Sequence, residues 1–179
     1  MKNKCVFLDR DGVINVDNVN YTYKVDEFKI IDGVIPALKI LKDAGYLLII
    51  ITNQSGIAKG IYQHEDVYKC HDYFDKESGH LIDEYFYSPY HQFTSESLSR
   101  KPGSLMFEKA IAKYDIDITQ SWMVGDRERD IIPANTLNIP TILIEEFSNT
   151  DTSAKYKVDS LFEAAELILG VKPKAERIM

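Results

Sequence analysis

The chain has 179 residues, 45% of them hydrophobic and 27% charged, the length and balance of one globular domain with its own core, so residues 1–179 are expected to form a single domain and a largely disordered chain is excluded. Twenty-eight acidic side chains against 21 basic ones leave a formal charge of −7. That balance disfavours nucleic acid and anionic membranes as partners, but it allows a small anionic substrate in a local cationic pocket.

The N-terminal segment carries too short an apolar run for a signal peptide. The longest apolar run, Tyr46 to Ile51, is far below the roughly 20 residues that span a bilayer. A cytoplasmic protein is therefore expected. Cys5-Val-Phe-Leu8 is a short continuous apolar stretch, the pattern of a strand buried on both faces. Residues 15–31 are polar and aromatic and predict an irregular flap or hairpin. Val34 to Ala44 predicts a helix, with apolar Ile35, Leu38 and Leu41, Pro36 in the first turn and Gly45 at the C-terminal end. Tyr46 to Ile51 predicts a second buried strand.

Further along, His64 to Lys76 predicts a helix, Tyr85 to Tyr87 a strand, and Leu105 to Tyr114 a helix. Trp122 to Val124 predicts a strand, Asp130 to Leu137 a helix, Thr141 to Ile144 a strand and Leu161 to Leu169 a last helix. Ser88 to Gly103 is a long serine-rich loop, a type that is usually functional. The tail from residue 172 is expected to fray. Strands alternating with helices of this length predict an α/β fold: a doubly wound, mostly parallel, Rossmann-like sheet with helices on both faces. The two cysteines, Cys5 and Cys70, are far apart and outside any CxxC pattern. They predict core side chains, with neither a disulfide scaffold nor a cysteine-rich metal site. No apolar helix stripe demands a partner, so a monomer is expected.

Ligands of such sheets bind beyond the carboxyl ends of the strands, so the polar residues that follow each strand are the candidates. After the first strand come Asp9-Arg-Asp11-Gly12, two carboxylates at a strand exit. After the second come Thr52-Asn53-Gln54-Ser55-Gly56, which offer a hydroxyl, amides and backbone N–H groups to an anion. Arg100-Lys101-Pro102 places two cations before a helix. Asp126 and Asp130 follow the fourth strand at a spacing that one helical turn aligns. Taken singly, these pieces read as turns, a polar loop, a solvated pair of cations and helix caps.

As an ordered set they resemble the haloacid dehalogenase superfamily of phosphotransferases, over residues 5–144. The resemblance implies that Asp9 is a nucleophile forming an aspartyl-phosphate. It implies that Asp11 protonates the leaving alcohol and then activates water. Asp9, the backbone carbonyl of Asp11, and Asp126 would hold Mg²⁺, with Asp130 orienting Lys101 or a metal-bound water. Thr52 and Lys101 would bind the transferring phosphoryl oxygens.

The strings Asp9-Arg-Asp-Gly-Val-Ile-Asn15, Thr52-Asn-Gln-Ser-Gly-Ile-Ala-Lys-Gly60, Arg100-Lys101-Pro102 and Val124-Gly-Asp-Arg127 further resemble the heptose-1,7-bisphosphate 7-phosphatases. The histidinol-phosphate phosphatases are closely similar. This resemblance implies no large cap domain, a phosphorylated sugar substrate, and sugar contacts from the loop of Asp17, Asn18, Asn20 and Tyr21. Asn53, Gln54 and Ser55 would line the site, and Arg100 would recognise the distal part of the substrate, since its planar fork suits a second phosphate. The family's zinc loop reads Cys-Pro-His and then Cys-x-Cys. Here those positions hold Ser88-Pro89-Tyr90 and Ser97-Leu98-Ser99, poor ligands for zinc, so no structural zinc is expected. Tyr21, Tyr23, Tyr85, Tyr87 and Tyr90 are expected to pack on the flap rather than stack on a ligand. Two other readings stand beside the leading one: a histidinol-phosphate phosphatase and a non-catalytic sugar-phosphate-binding protein. A polynucleotide 3′-phosphatase is disfavoured by the charge of −7 and the lack of a basic stripe.

Overall fold

The structure, a computed structural model, describes residues 2–145 and 152–171. The tail expected to fray lies outside them. Six strands form one sheet in the order β3-β2-β1-β4-β5-β6, and every pairing is parallel. They are β1 (Cys5–Leu8), β2 (Leu47–Asn53), β3 (Glu84–Ser88), β4 (Trp122–Gly125), β5 (Thr141–Ile144) and β6 (Tyr156–Val158). The helices are α1 (Val34–Asp43), α2 (His64–Ser78), α3 (Leu105–Tyr114), α4 (Glu128–Thr136) and α5 (Leu161–Ile168).

The continuous apolar runs of β1 and β2 have the cause proposed for them: each strand is covered on both faces. In β1, Val6 and Leu8 enter one core with Leu38 and Leu41 of α1, Phe74 of α2 and Leu161 of α5. Cys5 and Phe7 enter the other with Phe107 and Ala110 of α3 and Ala134 of α4. Both cysteines are buried and free.

Strand β6 was not expected. It has three residues, and only Val158 is buried, so no apolar run announces it. Helix α4 begins at Glu128, two residues before the expected start, because the Asp130 carboxylate accepts the backbone N–H of Arg127 (3.1 Å) and caps the helix from inside.

The flap is a loose antiparallel pairing, with Val16 N–H donating to Lys29 O (2.9 Å) and Ile31 N–H to Ile14 O (3.0 Å). Among the described residues no connection carries a helical or sheet insertion of cap size. No helix among them is long and apolar enough to cross a membrane.

This strand order reverses direction between β1 and β4. The crevice beyond their carboxyl ends is the topological switch point where doubly wound sheets bind ligands. Asp9 follows β1 directly, with its N–H bonded to Val124 O of β4 (3.0 Å), and Asp126 follows β4 directly.

The second core centres on Phe107, fully buried and edge-on to Phe7 at 5.2 Å. Phe107→Ala is expected to cost about 3–5 kcal/mol of unfolding free energy, measured by urea denaturation. A loss below about 1 kcal/mol would show that this face is not close-packed.

Candidate active site

Lys101 lies at the centre of the crevice, with 1% of its surface exposed. Its ammonium is 2.9 Å from Asp9 Oδ1 and 2.7 Å from Asp130 Oδ1, and it donates to Ile51 O (2.6 Å). Burial opposes the charge, but Asp130 and Asp9 hold the ammonium pKa above its ordinary value. The loop is fixed at this point by Asn53, whose side chain accepts from Lys101 N–H and donates to Lys101 O, both at 3.0 Å. An amide at the end of β2 therefore grips the backbone of the residue whose side chain enters the site.

Asp9, Asp126 and Asp130 each bring a carboxylate oxygen to within 4.8 Å of the others. Lys101 is in an ion pair with Asp9 and with Asp130, not with Asp126. Burial and the Asp130 charge, opposed by Lys101, push the Asp9 carboxyl up to about 6. Burial, Asp9 and Asp130, opposed by Arg127 (3.4 Å) and Arg129, push Asp126 up to about 7. Asp126 Oδ1 is buried without a hydrogen-bond partner. An orphaned carboxylate oxygen beside two others is a donor set for a hard divalent cation that keeps several waters. Two glycines make the approach possible. A Cβ on Gly12 (φ +89°) would lie 2.3 Å from Asp126 Oδ2, and one on Gly125 would lie 2.4 Å from Asp130 Cβ.

Asp11 is held differently. Arg10, almost fully buried, forks onto it at 2.9 and 3.0 Å and donates also to Thr22 O of the flap (2.7 Å). Asn15 (2.9 Å) and Gln54 (3.1 Å) donate to the same carboxylate. Burial works against the charge, but Arg10, then Asn15 and Gln54, pull the pKa below the ordinary value. Gln54 donates as well to Thr52 Oγ1 (3.0 Å) and accepts from Tyr62 (2.8 Å). Thr52 and Ser55 are buried beside it.

Asp9, Asp11, Thr52, Asn53, Gln54, Lys101, Asp126 and Asp130 are thus joined in one network around the crevice. The flap residues lie farther out. Asp17 pairs with Arg127 (2.8 Å), Asn18 accepts from Asn20 N–H (2.9 Å), and Tyr21 (φ +69°) accepts from Lys59 (2.7 Å). Arg100 donates to Tyr90 O (3.1 Å). Tyr23 stacks on Tyr62 at 5.0 Å and Tyr21 meets the same ring edge-on, so these two do pack the flap. Tyr85 and Tyr87 instead pack on His71, His64 and Tyr68 along α2.

Arg10 and Asn15 had no assigned role. The signal was present: a charged side chain between two aspartates, directly after a buried strand, must find a partner. At the positions matching the zinc loop, the hydroxyls of Ser88 and Ser99 lie 3.2 Å apart and those of Ser97 and Ser99 2.8 Å apart.

The fold, the carboxylate cluster and the buried lysine define a phosphatase of the haloacid dehalogenase superfamily. A family model described as HAD-hydrolase-like matches residues 98–164. The chain is 39% identical over 150 residues to the D-glycero-beta-D-manno-heptose-1,7-bisphosphate 7-phosphatase of Haemophilus ducreyi, covering 79% of this chain and 82% of the relative. It is 40% identical over 148 residues to the D-glycero-alpha-D-manno-heptose-1,7-bisphosphate 7-phosphatase of Photorhabdus laumondii subsp. laumondii, covering 78% and 80%. The crystal structure of D,D-heptose 1,7-bisphosphate phosphatase from B. bronchiseptica, complexed with magnesium and phosphate, superposes with a TM-score of 0.84 at 25% identity, covering 93% of this chain and 98% of that one. The chain belongs to the heptose-1,7-bisphosphate 7-phosphatase family.

Three clustered carboxylates face one buried ammonium, and the half-exposed Arg127, 3.4 Å from Asp126 Oδ2, does not bring the Asp126 carboxyl back to its ordinary pKa, so the metal-free site is electrostatically strained. Asp9 and Asp126 keep protons in the fold at pH values where the unfolded chain has lost them. Metal-free stability should therefore decline as pH rises from the ordinary aspartate value of 3.8 to about 7. At pH 8 in EDTA, Asp126→Asn is expected to raise the unfolding free energy by an amount on the order of 1–3 kcal/mol, and with it the Tm. It should also remove the Tm increment that Mg²⁺ gives the parent protein. A variant less stable in EDTA, or one that keeps the full Mg²⁺ increment, contradicts this account.

Proposed function

We propose that this phosphatase hydrolyses the 7-phosphate of D-glycero-D-manno-heptose 1,7-bisphosphate, with Asp9 as nucleophile. The reading rests above all on the Lys101 ammonium fixed between Asp9 and Asp130, which places a permanent cation where phosphoryl oxygens would gather. Asp9, Asp126 and the backbone carbonyl of Asp11 would hold Mg²⁺, with Asp130 orienting Lys101. The bound ion would supply the positive charge that lets an anionic carboxylate approach an anionic ester.

The remaining chemistry belongs to the chain. An Asp9 oxygen attacks phosphorus and the bond to the sugar oxygen breaks. Asp11 gives its proton to the departing alkoxide. A water then attacks the phosphorus of the aspartyl-phosphate, Asp11 takes the water's proton, and inorganic phosphate leaves with the Asp9 carboxylate restored. The donors around Asp11 favour its ionised form, the form this second step needs. Acting as an acid in the first step requires the carboxyl to leave the Arg10 fork as the substrate enters. Thr52 and Lys101 contact the transferring oxygens.

The flap residues Asp17, Asn18, Asn20 and Tyr21, with Asn53, Gln54 and Ser55, border the sugar. Arg100 receives the distal phosphate, a role it would lack with histidinol phosphate, whose distal end carries a cationic amine and no second phosphate. Hydroxyl contacts among Ser88, Ser97 and Ser99 shape the loop in place of zinc, and elemental analysis should find no stoichiometric zinc. We place the enzyme in the cytoplasm, acting on a free sugar phosphate.

The deciding experiment compares kcat/KM, with Mg²⁺, for both anomers of heptose 1,7-bisphosphate, heptose 7-phosphate and histidinol phosphate. A heptose bisphosphate is expected to be the best substrate. Asp9→Asn should abolish turnover, and Asp11→Asn should reduce it by about 10²–10⁴-fold while Mg²⁺ binding persists. Histidinol phosphate as best substrate would refute the assignment. No phosphate release from any ester would favour a binding protein.

A further inference from the structure

Helix α4 carries a second feature that the catalytic scheme leaves unused. Its first turn contains Arg129, a cation at the helix end where the backbone dipole is already positive, which is unfavourable for the helix itself. The nearby acids have other partners, although Asp126 also interacts with the charge of Arg129. Asp126 and Asp130 belong to the central cluster, and Glu128 accepts from Ser153 N–H and the Ser153 hydroxyl on the far side. Among the described residues Arg129 forms no ion pair, and its Nε is buried without a hydrogen-bond partner.

The Lys101–Asp130 pair at 2.7 Å draws together the residues preceding each partner, Arg100 and Arg129. Among the described residues Arg100 has a carbonyl partner in Tyr90 O but no carboxylate. The two guanidiniums are close enough that Arg129, after burial, helps to lower the Arg100 pKa, and Arg100 in turn contributes to lowering that of His91. Lys59, bound to Tyr21, adds a further cation to the same rim.

Two arginines on separate elements thus lie near one another, and among the described residues neither forms an ion pair, in a chain whose net charge is −7. Among the described residues Asp126 interacts with the charge of Arg129, but no carboxylate offsets the charge of both arginines. A phosphate dianion would, since its oxygens can accept from both planar forks and from the positive end of the helix.

We infer that Arg129 of α4 completes the distal-phosphate subsite with Arg100, making it a specificity-determining residue for a bisphosphate over a monophosphate. The inference rests on the bisphosphate reading above. Because this contact is remote from the reacting phosphorus, its loss should appear mainly in KM.

The test measures the ratio of kcat/KM for heptose 1,7-bisphosphate to that for heptose 7-phosphate, in the parent protein, Arg129→Gln and Arg129→Lys, with thermal melting as a check on folding. The parent should prefer the bisphosphate. Arg129→Gln should lower that ratio by about 10- to 100-fold, chiefly through KM. Arg129→Lys, which keeps the charge but not the fork, should fall between the two. If the parent shows the preference and Arg129→Gln retains it, the role of Arg129 is refuted while the bisphosphate reading stands. If the parent shows no preference, the bisphosphate reading fails, and the inference with it.

Discussion

A buried ammonium must satisfy three donors, and Lys101 finds its acceptors on three separate parts of the sheet: Asp9 after β1, the Ile51 carbonyl within β2, and Asp130 in α4. The side chain therefore ties the second, central and fourth strand regions together at one point. The loop that supplies it is long and irregular, yet Asn53 clamps its backbone on both sides of the peptide. Removing the ammonium would leave two buried carboxylates unpaired, the costly half of a broken buried ion pair.

The same geometry explains why the site calls for a metal. The Lys101 ammonium and the half-exposed Arg127, 3.4 Å from Asp126 Oδ2, do not compensate three carboxylates, and Asp126 Oδ1 is left buried without a hydrogen-bond partner. Glycine at positions 12 and 125 lets the chain bring these groups so close. Repulsion concentrated there is stabilisation forgone in the metal-free fold, and a divalent cation recovers it. Asp11 stands outside this triad, with a guanidinium of its own and two amide donors, so two carboxylates only two positions apart in the chain meet opposite electrostatic conditions.

Charge is layered around the crevice. The acidic centre lies inside, and a rim of Lys59, Arg100, Arg127 and Arg129 surrounds it. Arg127 is taken up by Asp17, which fastens the flap to α4. Among the described residues Arg100 and Arg129 form no ion pair. A substrate that presents one phosphate to the metal side and another to the rim matches this layering, whereas a cationic substrate would meet repulsion at the rim.

The alternation of apolar runs with helical patterns determined the fold class from sequence, and the acidic, hydroxyl and basic residues at successive strand exits are the ones that the structure gathers at the crevice. Strands buried on both faces must be continuously apolar, and ligand groups must follow them, so both signals are local. Strand β6 escaped because three residues with a single buried side chain leave no pattern. Arg10 escaped because its role depends on partners 12 positions away in Thr22 and next door in Asp11 at once. The nearness of Arg100 to Arg129 escaped for the same kind of reason: each looks like a solvated cation in its own segment, and the Lys101–Asp130 contact across the switch point brings the two segments together. What the sequence alone determined was the inventory of charges and the strand ends that carry them. Only the tertiary structure decided which charges are compensated, because compensation depends on distance and burial between segments that the chain itself keeps far apart.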